Sequence, residues 1–264
     1  MSAASVIMAA GRGSRMEGFK GNKTLLPLAP GDSPYEGDHP ILLQALMALP
    51  PGPKALVVHH RKEDIMKATG HLGLTYCVQN KLNGTGGALL AARNFLESQH
   101  NDQVVITMGD VPFVRTETYE AMLGLLKRYS LVVLGFAPKA KKNYGLLEIE
   151  ADRVKRIVEW KYWKDYPENI QTKLRICNSG IYTARTEELL RYLTLLASRP
   201  HIVKKEIGGK LQEIEEFFVT DIVEYMHGDG LHVGYLLTKE EEVMGVDDLP
   251  GLLKAQKVYR EKLF

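Results

Sequence analysis

A chain of 264 residues that is 45% hydrophobic and 25% charged, with a formal net charge of +2, can bury a large core and lacks the charge excess of a surface built to bind nucleic acid. Its two cysteines, Cys77 and Cys177, lie in apolar strand-like runs without partners at metal-ligand spacing, which excludes a disulfide scaffold and reads as buried thiols of a reducing cytoplasm. No apolar run approaches the length of a membrane span and the N-terminal stretch lacks the regions of a signal peptide, so a cytoplasmic protein with no membrane partner is expected.

Ser5 to Ala10 reads as a short buried strand. In the run Ala9-Ala10-Gly11-Arg12-Gly13-Ser14-Arg15-Met16 that follows, Gly11 and Gly13 let backbone N–H groups turn toward one point, as a polyphosphate requires. Arg15 and Lys23 add cationic charge beside that point. A dinucleotide fingerprint would need glycine where Met16 stands, and a Walker A loop would need glycine where Asn22 stands, so neither motif fits.

Strands are predicted over Ala55 to His59 and Leu74 to Val78. Next comes Gln79, then Gly84-Thr85-Gly86-Gly87 and a helix over Gly86 to Leu96, with Ala88, Leu89, Ala92, Phe95 and Leu96 on one face. Glycines at a strand-to-helix junction leave N–H groups free, and Gln79 carries both a donor and an acceptor suited to a nucleobase edge. The alternative is a glycine turn capped by Thr85. A fourth strand, Val104 to Met108, ends in Gly109-Asp110-Val111-Pro112. A carboxylate at the carboxyl end of a buried parallel strand sits where open sheets bind ligands and suits magnesium, whereas the alternative is a turn aspartate bonding its own backbone.

Leu131 to Phe136 is the fifth strand, and after Pro138 the texture changes. Leu146 to Ile149 and Val154 to Val158, separated by Glu150-Ala151-Asp152-Arg153, read as a hairpin able to wall a sugar-sized pocket. A strand over Ile176 to Thr183, helices over Glu187 to Ala197 and Asp221 to Met226, a strand over Leu231 to Leu237 and a last helix from about Pro250 to Lys262 complete the chain. Arg199 to Glu216, with its Lys and Glu clusters, reads as a solvated loop or short helix. The whole pattern predicts an α/β fold with a mainly parallel sheet covered on both faces, in one domain.

The ordered set A-A-G-x-G-[ST]-R-M, Lys23, Gln79 with Gly84-Thr85-Gly86, and Gly109-Asp110-x-Pro112 resembles the nucleotidyltransferases that join a nucleoside triphosphate to a sugar 1-phosphate. It is most similar to the N-acetylglucosamine-1-phosphate uridylyltransferase domain of the bacterial bifunctional enzyme of UDP-N-acetylglucosamine synthesis, without the acetyltransferase domain. Tyr144-Gly145, Glu159-Trp160-Lys161, Asn178-Ser179-Gly180, Phe218-Val219-Thr220-Asp221 and Gly245-Val246-Asp247-Asp248 continue the match in order over essentially the whole chain. The resemblance implies a Rossmann-like three-layer sandwich with a mixed sheet and a small sugar-binding β excursion. Residues 1 to about 137 would then form the nucleotide-binding half and about 138–264 the acceptor-binding half. It further implies that Ala10, Gly11, Gly13, Arg15 and Lys23 hold the triphosphate and that Gln79, Gly84 and Thr85 read the base. Gly145, Glu159 and Asn178 would line the acceptor pocket, and Asp110 and Asp247 would bind Mg2+. Arg15, Lys23 and Asp110 would carry catalysis, and homo-oligomerisation is left open.

The chain departs from that pattern in five places. Asn22 stands for a proline, Arg15 and Lys23 lie one residue further apart, Leu146 stands for the arginine after Tyr144-Gly145, Tyr162 for an aspartate, and Asp247 for an asparagine. Asp247 has a competing role as a helix cap ahead of Pro250, which Asp248 could also serve. Uridylyl transfer to a sugar 1-phosphate is expected. The alternatives are cytidylyl or other nucleotidyl transfer to a phosphorylated alcohol, and a non-catalytic nucleotide-binding relative.

Overall fold

The apolar runs build one nine-stranded sheet in the computed structural model, which describes residues 2–13, 15–16, 18–207 and 210–263. Its strands are β1 (Ala4–Met8), β2 (Lys54–Val58), β3 (Thr75–Val78), β4 (Gln103–Met108), β5 (Leu131–Phe136), β6 (Leu146–Glu150), β7 (Arg153–Val158), β8 (Cys177–Arg185) and β9 (Val233–Thr238). They lie in the order β9-β5-β8-β4-β1-β2-β3, with the β6-β7 hairpin joined to β8 through Leu146 opposite Cys177. β1 runs parallel to β2 and β4, β2 to β3, and β9 to β5, while β8 runs antiparallel to both of its neighbours β4 and β5.

All five residues of β1 are buried, because a strand central to a covered sheet has no solvent face. Val6 and Met8 enter one core with Leu89, Leu96, Leu193 and Ile222 from helices on that face; Ile7 enters the other with Leu42, Tyr119 and Met122. The result is the expected mixed α/β three-layer arrangement. Cys77 and Cys177 are buried free thiols. Among the described residues no helix is long and apolar enough to cross a membrane.

Two readings of local structure need correction. The helix expected over Gly86 to Leu96 is two helices, Gly84–Ala91 and Arg93–Ser98, broken where Ala92 takes φ −89° and ψ 2°. Both segments still present their apolar residues to one core, so the periodicity survives the break. The stretch Arg199 to Glu216 is largely a β-hairpin, His201–Ile207 paired with Lys210–Glu216. Its charge clusters fall on opposite strands, as in Lys204 facing Glu213, and such cross-strand pairs favour a sheet over a loop. Ser14, part of the opening motif, lies outside the described residues.

A third, smaller core lies between the hairpin Pro27–Pro30/Gly37–Pro40 and the helix Leu249–Leu263, where Leu26, Leu28 and Ile41 pack with Leu252 and Ala255. Gln256 fixes this docking by donating its side-chain amide to the carbonyls of Pro27 at 2.9 Å and Pro34 at 2.7 Å.

Candidate active site

Adjacent parallel strands β1 and β4 both end on the same edge, which brings the glycine loop and Asp110 together. Gly13 has φ +64°, and a Cβ there would meet the Lys23 side-chain stem at 3.1 Å, so the loop is moulded against the lysine. Lys23 opens a single 3₁₀ turn, Lys23–Leu25. Asn22 caps that turn: its Oδ1 accepts from the Thr24 N–H at 3.0 Å and the Thr24 hydroxyl at 2.8 Å, and its Nδ2 donates to the His60 carbonyl at 2.9 Å. These bonds give a physical role to asparagine where relatives were expected to carry proline.

The Lys23 ammonium is 2.5 Å from Asp110 Oδ2 and 2.8 Å from Asp247 Oδ1, and Arg15 reaches Asp247 at 3.3 Å. Burial alone would lower the lysine's pKa, but the two carboxylates outweigh it and hold the ammonium above its ordinary value. Asp247 is likewise pushed up by burial and pulled further down by Lys23 and Arg15, leaving it below the usual carboxylate range. Its segment is tied in by the Val246 N–H, which donates to the Asp110 carbonyl at 3.0 Å. Asp248 serves the helix start, accepting from the Gly251 N–H at 2.8 Å, so capping does not occupy Asp247.

Gly11, Gly13, Arg15, Lys23, Asp110 and Asp247 thus face one cleft of about 250 Å³, with Met8 and Met108 as its apolar floor. Ala10 is buried just beyond the end of β1. Among the described residues no group of three or more His, Cys, Asp or Glu converges, so a cation here would have two protein carboxylates. That donor set fits magnesium, which takes one or two carboxylates and completes its shell with phosphate oxygens and water.

Gln79 is only 4% exposed and donates its Nε2 to Asn83 Oδ1 at 3.1 Å and to the Gly84 carbonyl at 3.2 Å. A carbonyl only accepts, so the amide orientation is fixed and both of its hydrogens are used internally. Of the donor and the acceptor that the sequence offers at Gln79, only the acceptor Oε1 is left outside these two bonds. The glycines beside it are set by close approach: Gly84 has φ +91°, and a Cβ there would stand 2.3 Å from the Phe217 carbonyl. The Gly86 N–H donates to that same carbonyl at 2.8 Å, and Thr85 Oγ1 accepts from the Val219 N–H at 3.2 Å. Thr85 is thus engaged with the start of the helix Val219–Gly228.

That zipped segment leads to a second cleft of about 480 Å³, lined by Glu159, Lys161, Tyr162, His201, Phe218 and Thr220 among others. Thr220 Oγ1 donates to Glu159 Oε1 at 3.0 Å. Burial raises the pKa of the Glu159 carboxyl, and that hydrogen bond only partly offsets it. Gly145 lies beside this carboxylate, but what its missing Cβ relieves is the Ile157 side chain, which a Cβ would meet at 2.9 Å, whereas Glu159 Oε2 would stand at an ordinary 3.7 Å. Asn178 shapes its own bulge instead: Oδ1 accepts from the Gly180 N–H at 3.0 Å, and Nδ2 donates to the Tyr182 hydroxyl at 2.7 Å. Leu146 is fully buried on β6 and contributes no polar group to the cleft.

Comparison with known proteins decides the family. The MobA-like NTP transferase domain matches residues 5–165. The chain belongs to that family. It is 31% identical to Bifunctional protein GlmU of Ruegeria pomeroyi over 99% of this chain and 54% of the relative. It is 30% identical to Bifunctional protein GlmU of Sphingopyxis alaskensis over 96% of this chain and 51% of the relative. The chain therefore spans about half the length of these curated relatives. In three dimensions it resembles a Bacillus anthracis protein assigned as a glucose-1-phosphate thymidylyltransferase, with a TM-score of 0.68, 20% identity and coverage of 98% and 96%. The expected Rossmann-like nucleotidyltransferase fold is borne out.

Within this NTP transferase, sequence reasoning assigned no role to His201, which accepts or donates at 2.8 Å to Asp221 in the second cleft. Its signal was masked by the charged stretch read as a loop. Thr220 was quoted as part of a motif, yet its bond to Glu159 spans 61 positions and needed the fold to be seen.

Proposed function

We propose that the protein transfers a nucleotidyl group, in the first place uridylyl, from a nucleoside triphosphate to a sugar 1-phosphate in the cytoplasm, releasing pyrophosphate. The observation that carries this reading is the convergence of Lys23, Asp110 and Asp247 beside the Gly11–Gly13 loop. The second cleft at Glu159 and Thr220 supports an acceptor site, tied through Phe217 to the Asn83–Gly86 loop beside Gln79.

In this reading Arg15, Lys23 and the loop N–H groups hold the triphosphate, and Asp110 with Asp247 would hold Mg2+, which when bound neutralises charge shared by the two phosphates. A sugar phosphate oxygen is already ionised, so no side chain has to act as base. The protein's work is to align two anions for in-line attack at the α-phosphorus and to stabilise the leaving pyrophosphate. Lys23 suits the second task because its charge is fixed at the site before substrate arrives. Gln79 would accept from the base edge, and Glu159 would accept from acceptor hydroxyls.

Incubating the protein with magnesium, each nucleoside triphosphate in turn and a panel of sugar and alcohol phosphates tests the reading by pyrophosphate release. Turnover with a sugar 1-phosphate is expected. Turnover confined to phosphorylated alcohols would overturn the acceptor assignment, and none with any pair would overturn the enzyme assignment.

A further inference from the structure

Glu242 has a carboxylate only 5% exposed, yet five donor groups of three residues, Arg115, Thr118 and Thr238, reach it. Its Oε1 accepts from the Arg115 N–H at 3.1 Å and from the Thr118 hydroxyl; its Oε2 accepts from the Thr238 hydroxyl at 2.5 Å and from Arg115 Nε at 3.3 Å and Nη2 at 3.2 Å. Burial pushes its acidity down, but the hydroxyls of Thr118 and Thr238 and the Arg115 groups reverse this and hold the carboxyl below its ordinary range. A buried charge this fully satisfied is held in one geometry, because each donor would be orphaned if it moved.

The two segments it clasps are the ones that carry the site carboxylates. Arg115 ends the loop that starts at Asp110, Thr118 lies in the first turn of the helix Thr116–Leu125 that follows it, and Glu242 precedes Asp247 by five residues. Between these ties the segments are packed through Val111, Val243 and Val246, all less than 5% exposed, and are joined again where Val246 N–H meets the Asp110 carbonyl. The spacing of Asp110 and Asp247 is therefore fixed at both ends of one short ladder. We infer that Glu242 is a positioning residue that sets the separation of Asp110 and Asp247, and thereby their joint affinity for a divalent cation. This rests on the proposed function, in which those two residues hold the metal.

The test is titration of Mn2+ into the protein with UTP present, read by the loss of the free-ion spin-resonance signal beyond that caused by the same UTP without protein, alongside the Mg2+ concentration giving half-maximal pyrophosphate release. Glu242→Gln is expected to weaken Mn2+ binding by about ten- to a hundred-fold and to raise the Mg2+ requirement by the same factor, the range for groups that orient metal ligands. Affinity for UTP measured in chelator should stay unchanged, because Arg15 and Lys23 are untouched. Thr118→Val removes one donor only and serves if the first variant does not fold; about three-fold weakening is expected there, within the spread of one lost hydrogen bond. Unchanged Mn2+ affinity in a folded variant, with or without a lower melting temperature, would overturn the positioning role and leave the metal site standing. Absence of bound Mn2+ in the unmodified protein with UTP would overturn the metal site itself.

Discussion

The ammonium of Lys23 meets the carboxylate of Asp247, 224 positions later in the chain, at 2.8 Å, while holding Asp110 at 2.5 Å. One cation thus serves two carboxylates that lie 137 positions apart in the chain.

Asp110→Ala should lower turnover by on the order of a thousand-fold or more, since it removes a carboxylate aimed at the charge that balances two anions. Circular dichroism should remain that of the unmodified protein. Chelation of divalent cations should abolish pyrophosphate release in both proteins, and near-normal turnover of the variant would sink the assignment of Asp110.

Lys23→Ala should damage turnover with every nucleoside triphosphate, because it acts on phosphates common to all. It should also destabilise at neutral pH by about 2–3 kcal/mol, somewhat less than a fully buried pair because Asp247 is partly exposed. Arg15→Ala, at a side chain 70% exposed, should cost little stability while still slowing turnover. A variant of either residue that altered only base preference would show these residues to be misplaced.

Gln79→Ala should erode the preference among bases more than the maximal rate. Uridine triphosphate is the expected donor, because its N3–H can donate to Oε1, and buried hydrogen bonds can reject a wrong base by up to about ten-thousand-fold. Competition between triphosphates in the pyrophosphate assay measures this directly. Cytidine or guanosine triphosphate as best donor of the unmodified protein would refute uridylyl preference and leave nucleotidyl transfer intact.

Glu159→Gln should separate stability from function. The folded protein raises the pKa of this carboxyl, so its ionised form costs stability once pH exceeds the folded value, whereas below the ordinary carboxylate range the cost vanishes. The amide, which mimics the protonated form, should therefore raise the melting temperature at pH 7 and change it little near pH 3. The KM for the acceptor should rise while that for the nucleotide holds. Equal effects on both would place Glu159 outside the acceptor site.

Much of this was readable from the chain because period and position agree. β5, Leu131–Phe136, coincides with its apolar run, and the loop glycines fall at strand ends. What stayed hidden depends on partners distant in sequence. The strands His201–Ile207 and Lys210–Glu216 set Lys204 opposite Glu213, a register that a linear reading sees only as polar clusters. Gln79 looked like a free amide until Asn83 and Gly84 were seen to use its hydrogens. Glu242 carries no motif; it is recognised by the donors that surround it.

The late arrival of Asp247 also has a consequence for biosynthesis. When a ribosome has translated the glycine loop, Lys23 and Asp110, the chain still lacks the second carboxylate and the helix whose Gln256 secures the early hairpin. Until these are made, Lys23 has Asp110 but not Asp247 as a carboxylate partner. The three-charge set is complete only when the last quarter of the protein has joined the first.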